Sequence, residues 1–290
     1  MWTQKVFHKT GEFSVKVNLH AAAAKQMIKT IPLFLLLVFS FNADAVELTL
    51  SYEDKEQPPY YMGNTEKVLE NKPGVAVEMV LMLENKVDGL TVRLRRTPWT
   101  RCTQELKYNR VDGIFNASYK KERLKIGCYP TTDGMPGGPV DASRRITKIS
   151  YSLYARKDSR INWNGEDPAL IKETVGAPLG YSIVGDLEKA GVSVEEAPST
   201  TMNLQKVLWK RIAAAALQDV TADSIIKSNP MMRQNIRKLE PPLATKPYYL
   251  MLSREFVAKH PDLANRIWDA IKVIRETQFD EIIMKYIHEE

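Results

Sequence analysis

Leu90-Thr91-Val92-Arg93-Leu94, then Pro98-Trp99 leading a segment to Tyr108, then Val111-Asp112-Gly113-Ile114-Phe115 is the stretch that decides the fold. The first segment alternates apolar and polar side chains, which is the period of a strand. Pro98-Trp99 opens a helix, and the Val111–Phe115 run reads as another strand. Upstream, Glu47 to Tyr52 alternates in the same way until Gln57-Pro58-Pro59-Tyr60-Tyr61 breaks it. Gly74 then opens a helix, Val75 to Glu84, apolar on nearly every side and therefore expected to pack on a sheet. The order β-α-β-α-β is the signature of a parallel sheet covered by helices.

The rhythm returns after a Gly/Pro-rich loop, Asp133 to Pro139. Strands are expected at Ser150–Ala155, at Thr174-Val175-Gly176-Ala177, after Ser193-Val194, and at Ala213–Leu217. Helices are expected at Ser182–Lys189, Thr201–Trp209, from near Val220, and over an amphipathic tail from Pro261 to Ile287. The reading is two open α/β units in tandem. Ligands of open parallel sheets sit outside the carboxyl ends of the strands. The polar residues just past those ends are Trp99, Asn116, Ser118 and Arg123 in the first unit, and Gly180-Tyr181-Ser182 and Asp219 in the second.

The 290-residue chain is 44% hydrophobic and 26% charged, ordinary for a globular protein. Without residues 1–45, 36 basic side chains face 33 acidic ones, a solvated surface and not a phosphate-binding stripe, so no nucleic-acid partner is expected. Lys25 and Lys29 precede the apolar run Ile31–Phe41 and the tail Asn42-Ala43-Asp44-Ala45. That pattern describes a secretory leader cleaved after Ala45, giving a periplasmic protein that starts at Val46. Met27 alone begins a leader of ordinary length, which leaves residues 1–26 as an upstream start. No second apolar segment of spanning length follows, and the mature chain is expected to be a monomer without a membrane span. Its two cysteines, Cys102 and Cys128, form an even pair in an exported protein, and a disulfide is expected; two buried free thiols are the alternative.

Over residues 46–290 the chain resembles the bacterial extracellular solute-binding proteins of family 3, the amino-acid receptors that feed ABC transporters. The resemblance rests on Pro58-Pro59-Tyr60-Tyr61, Pro98-Trp99, Val111-Asp112-Gly113, Ser118 with Arg123, Thr174-Val175-Gly176 with Gly180-Tyr181-Ser182, and Leu217-Gln218-Asp219. It implies a type II periplasmic-binding-protein fold, two open α/β lobes joined by two crossover strands. The lobes would span 46–149 and 150–246, with 247–290 returning to the first and crossings near Ser150 and Tyr248-Tyr249-Leu250.

The resemblance also implies roles for single residues. Arg123 would grip a ligand carboxylate with its planar fork, or else lie on the surface. Ser118 and Ser182 would add hydroxyls, and Asp219 would receive an ammonium group; all three are equally read as helix N-caps. Trp99, Tyr60 and Tyr61 would wall the cleft, with core packing as the alternative, and Asn116 stands where the family often has a serine. An enzyme of this fold, such as a cyclohexadienyl dehydratase-like lyase, is the rival reading, and a ligand-sensing module is the third. Beyond residue 45 the only histidines are His260 and His288, outside the cleft set, and no phosphate-binding glycine motif occurs. No catalytic residue, metal or cofactor is therefore expected, and the partners are a small solute and a transporter permease.

Overall fold

A computed structural model describes residues 45–287. The leader expected over residues 1–45 lies, but for Ala45, outside them. One eight-stranded sheet runs through the described residues in the order β2-β1-β3-β8-β4-β7-β5-β6. In its first half β1 (Val46–Glu53) pairs in parallel with β2 (Leu90–Thr97) and β3 (Gly113–Ser118). Helix α1 (Val75–Leu81) and α2 (Trp99–Lys107) make the crossovers. Leu48, Leu50 and Ile114 are fully buried, as are Val75, Ala76 and Val77 of α1, because a parallel sheet hides its apolar strands under helices. The long α8 (Pro261–Ile287) packs on α1, after the short α7 (Arg254–Lys259).

The second half repeats the plan. Strand β5 (Val175–Pro178) pairs in parallel with β6 (Val194–Ala197) and β7 (Ala214–Gln218). Between them run α3 (Ser182–Lys189) and α4 (Thr200–Leu208), followed by α5 (Asp219–Ser228) and α6 (Pro230–Asn235). Two long strands, β4 (Thr147–Arg156) and β8 (Ile236–Leu252), join the halves in antiparallel. β8 also borders β3, and β4 also borders β7, so both crossovers belong to both lobes.

β8 is far longer than the crossing expected near Tyr248. Pro241, Pro242 and Pro247 argue against a strand, since proline gives no N–H to a ladder. The pairing with β4 shifts register between Leu239↔Leu153 and Ala244↔Tyr151, and Pro241 and Pro242 fall in that break.

The expected Cys102–Cys128 disulfide is not formed: both cysteines are buried free thiols. Cys102 on α2 faces β1, with its Sγ 3.4 Å from the Thr97 carbonyl and 3.5 Å from the Ser51 hydroxyl. Cys128 instead pairs through its backbone with Leu252 of β8, 2.7 and 3.0 Å. The two residues are thus tied to different strands, Cys102 through its thiol to β1 and Cys128 through its backbone to β8. Burial pushes the Cys102 thiol up to about 12 and raises that of Cys128, so neither is a ready nucleophile. Thiol titration of unfolded, unreduced protein should find both cysteines free, while the native protein reacts slowly; an oxidised pair in the unfolded chain would contradict this structure.

Candidate functional site

The last residues of β1, β3 and β7 (Glu53, Ser118 and Gln218), with Tyr181 just after β5, line one small pocket between the two lobes. Its floor comes from four adjacent strands. Ser118 of β3 lies opposite Tyr248 of β8, and Tyr151 of β4 lies opposite Gln218 of β7. The Tyr151 and Tyr248 hydroxyls are 2.5 Å apart, and the Gln218 amide donates to them at 3.3 and 2.9 Å. Burial lifts the Tyr248 phenol to about 12 and the Tyr151 phenol above its usual range, so both stay neutral and offer hydrogen bonds without charge.

Arg123 enters from the short turn after β3 and is buried. It donates to the Ser118 carbonyl at 2.7 Å and, across the cleft, to the Gly180 carbonyl at 3.1 Å. Its guanidinium lies 5.0 Å from the Trp99 ring centroid. Gly180 can present its carbonyl because its φ of 74° suits glycine. Among the described residues no carboxylate forms an ion pair with Arg123. A buried guanidinium held by carbonyls, a hydroxyl and an indole face, with the Tyr129 phenol beside it, meets no counter-charge in an ion pair.

Ser118 and Ser182 sit across the cleft from one another, the first donating to the second at 2.7 Å. The Lys246 ammonium donates to Ser182 at 2.8 Å and is itself paired with Asp186. Ser182 is the first residue of α3, after the N-cap residue Tyr181, and its hydroxyl accepts from Ser118 and Lys246.

Glu53, the last residue of β1, is the opposite pole. It is buried, and its carboxylate accepts from the Tyr181 hydroxyl at 2.5 Å and from the Gln57 amide, which also reaches Tyr181. No cationic side chain among the described residues pairs with it. Desolvation raises its carboxyl to about 7, the hydrogen bonds from Tyr181 and Gln57 opposing that shift and the neighbouring Asp54 adding to it. The loop that carries Gln57 and Tyr61 is fixed by Arg96 of β2, which donates to the carbonyls of Glu53 (3.3 Å), Met62 (2.9 Å) and Gly63 (2.7 Å).

Of the residues expected from sequence, Arg123, Ser118, Trp99, Asn116 and Tyr61 line this pocket, and Ser182 bonds directly to its wall. Asn116 takes φ 57° at the β3 irregularity, and both its amide atoms are buried without a hydrogen-bond partner. Trp99 Nε1 and Gln218 Oε1 are likewise unpartnered, so the lining aims several unused polar atoms inward. Tyr60 and Asp219 stand outside the lining. Asp219 opens α5 and pairs with Lys238 at 2.9 Å. Tyr60 is buried near Thr147, its phenol raised chiefly by burial.

Sequence reasoning missed Glu53, Gln57, Tyr151, Gln218 and Tyr248. The strand-end rule that found Asn116 points equally to Glu53, the final residue of the first strand. The enclosed space is about 10 Å³, room for roughly one water. Among the described residues no His/Cys/Asp/Glu group could hold a metal ion, and no helix is long and apolar enough to cross a membrane.

No protein-family model and no curated protein sequence matches the chain. Solved structures do. A histidine kinase sensor domain similar to periplasmic binding proteins is 20% identical with TM-score 0.62, covering 83% of this chain and 96% of its own. A variant of ArgBP from T. maritima is 18% identical with TM-score 0.63, covering 84% and 96%. The GluR0 ligand-binding core from Nostoc punctiforme, in complex with L-glutamate, is 13% identical with TM-score 0.60, covering 83% and 99%. Each spans nearly its whole length on this chain.

Protonated Glu53 is favoured by the folded state, so it contributes stability below its ordinary value of 4.5 that is lost as pH rises through about 7. The gap corresponds to about 3 kcal/mol. Glu53→Gln, neutral at every pH, should therefore gain on wild type by about that amount between pH 4 and 8 in urea unfolding. Parallel stability curves for the two proteins would show that the carboxyl is not desolvated as described.

Proposed function

From the type II periplasmic-binding-protein fold as premise, we propose that this protein is a solute receptor, its two lobes closing on a small carboxylate-bearing metabolite of the amino-acid class. The observation that supports this reading is Arg123, a buried cation at a strand end with no carboxylate partner among the described residues. Its fork would exchange the carbonyl of Gly180 for the two oxygens of a ligand carboxylate, which is the better acceptor. The Ser118 and Ser182 hydroxyls would complete the anion seat from both lobes, and Trp99 would form its apolar wall. The chemistry proposed is binding, with Arg123 and the two serine hydroxyls forming a seat for an anion.

The same reading makes the mature protein periplasmic and monomeric, exported with cleavage after Ala45 and working with an ABC permease. The lobes would then divide as 46–149 and 150–246, with 247–290 returning to the first. A sensing role is the second reading, favoured by the fold shared with a histidine kinase sensor domain. Permease and ATPase genes beside this one would support transport; a kinase or cyclase gene would support sensing.

A thermal-shift screen of amino acids and small carboxylates is the direct test. At least one carboxylate should raise the melting temperature. In calorimetry Arg123→Ala should weaken that solute by about thirtyfold or more, because removing one partner of a buried charge pair costs about 2–5 kcal/mol. Equal binding by Arg123→Ala and wild type would overturn the assignment of this cleft.

A further inference from the structure

The cleft holds two buried groups of opposite charge type that the fold does not neutralise. Arg123 and Glu53 line the same pocket, yet neither pairs with the other. Arg123 rests on carbonyls and an indole; Glu53 rests on a phenol and an amide. Desolvating an unpaired charge is costly, and neutral hydrogen bonds offset only part of it. A solute carrying both a carboxylate and an ammonium group would supply both missing counter-charges in one step.

We infer that Glu53 receives the cationic group of the solute, which displaces the Tyr181 hydroxyl and the Gln57 amide from its carboxylate. This rests on the receptor reading of the cleft and extends it, naming the solute as a zwitterion and placing its cation against the end of β1. Asp219, the residue that sequence resemblance offers for this role, is outside the pocket lining and already has the Lys238 ammonium at 2.9 Å. Glu53 has no such partner, and aromatic rings of Tyr61, Trp99 and Tyr181 stand in the same lining, a suitable surround for a cation.

The groups around Glu53 support the assignment. Asp54 and Lys55 follow it in the chain, and Lys55 is drawn to Asp54 at 3.8 Å. Arg96 meets only its backbone carbonyl. Cys102 and Tyr61, both pushed up by burial, and Tyr181 stay neutral near pH 7. The carboxyl itself, raised to about 7 by burial, is roughly half protonated at pH 7. An arriving ammonium would drive it to the carboxylate, so binding should release about half a proton at that pH and weaken as pH falls below it.

The test uses the mature protein with three probe sets: the standard L-amino acids, the amine-free carboxylates succinate and benzoate, and the carboxylate-free amines putrescine and agmatine. The tightest probe should carry both groups. Glu53→Gln should weaken it about thirtyfold or more while changing amine-free carboxylates by less than about threefold. Tyr181→Phe, which removes the internal competitor and keeps the ring, should bind at least as tightly as wild type. Calorimetry in phosphate and in Tris at pH 7 should show proton release with wild type and none with Glu53→Gln. Undiminished binding by Glu53→Gln, a loss that falls on Asp219→Ala instead, or a wild type that takes only amine-free carboxylates would each overturn the inference. If Arg123→Ala loses the probe and Glu53→Gln keeps it, only the role of Glu53 fails. Should both keep it, the cleft itself is wrongly assigned.

Discussion

Everything in this fold hangs on the pairing of β4 with β8. Each half of the sheet is parallel within itself, and these two antiparallel strands carry the backbone ladder from one half to the other. They are also the strands that place Tyr151 and Tyr248 under the cleft, hydroxyl to hydroxyl, with Gln218 bridging from β7. The connection between lobes and the floor of the binding site are therefore one structure. On the receptor reading proposed above, a solute on this floor would resist a bend in the crossovers and so favour one lobe arrangement over another.

The closed arrangement is held by the protein's own groups. Arg123 to Gly180, Ser118 to Ser182, and Tyr181 to Glu53 each cross from one lobe to the other. The bonds are polar and few, and two end on charges that a better partner could claim. Such contacts favour closure without filling the site's full bonding capacity, as the unpartnered amide of Asn116 shows. On the proposed receptor reading, a solute would exchange these contacts for stronger ones, and its differential affinity would set the population.

Much of the architecture was legible in the sequence. The alternation at Leu90–Leu94, the Pro98-Trp99 helix start and the bounds of α3 and α8 emerged as expected, because a buried parallel sheet leaves clear periodic signals. β8 did not, since its prolines sit in a register break that only pairing with β4 reveals. The strand-end rule picked out Asn116 and Ser118, which form the end of β3, and Tyr181 after β5, all of which line the pocket. Tyr151 and Tyr248 could not be found this way, because they lie within strands and reach the pocket only through the crossing of the lobes. The cysteines were misjudged because an even count says nothing about place: Cys102 lies on α2 against β1, and Cys128 beside β8.

Arg96 carries a last consequence. By gripping three carbonyls from Glu53 to Gly63, it fixes the backbone of the first loop independently of the side chains that loop displays. Gly74 adds a second fixed point, its φ of 119° letting the Tyr60 backbone approach where any Cβ would collide. The loop is thus a frame with interchangeable fittings. Tyr61 is held besides by its ring contacts with Tyr52 and Phe115, so positions 53 and 57 are the ones whose side chains can change on a fixed backbone. In the proposed receptor, chemical preference could be retuned at those two positions without redesigning the scaffold beneath them.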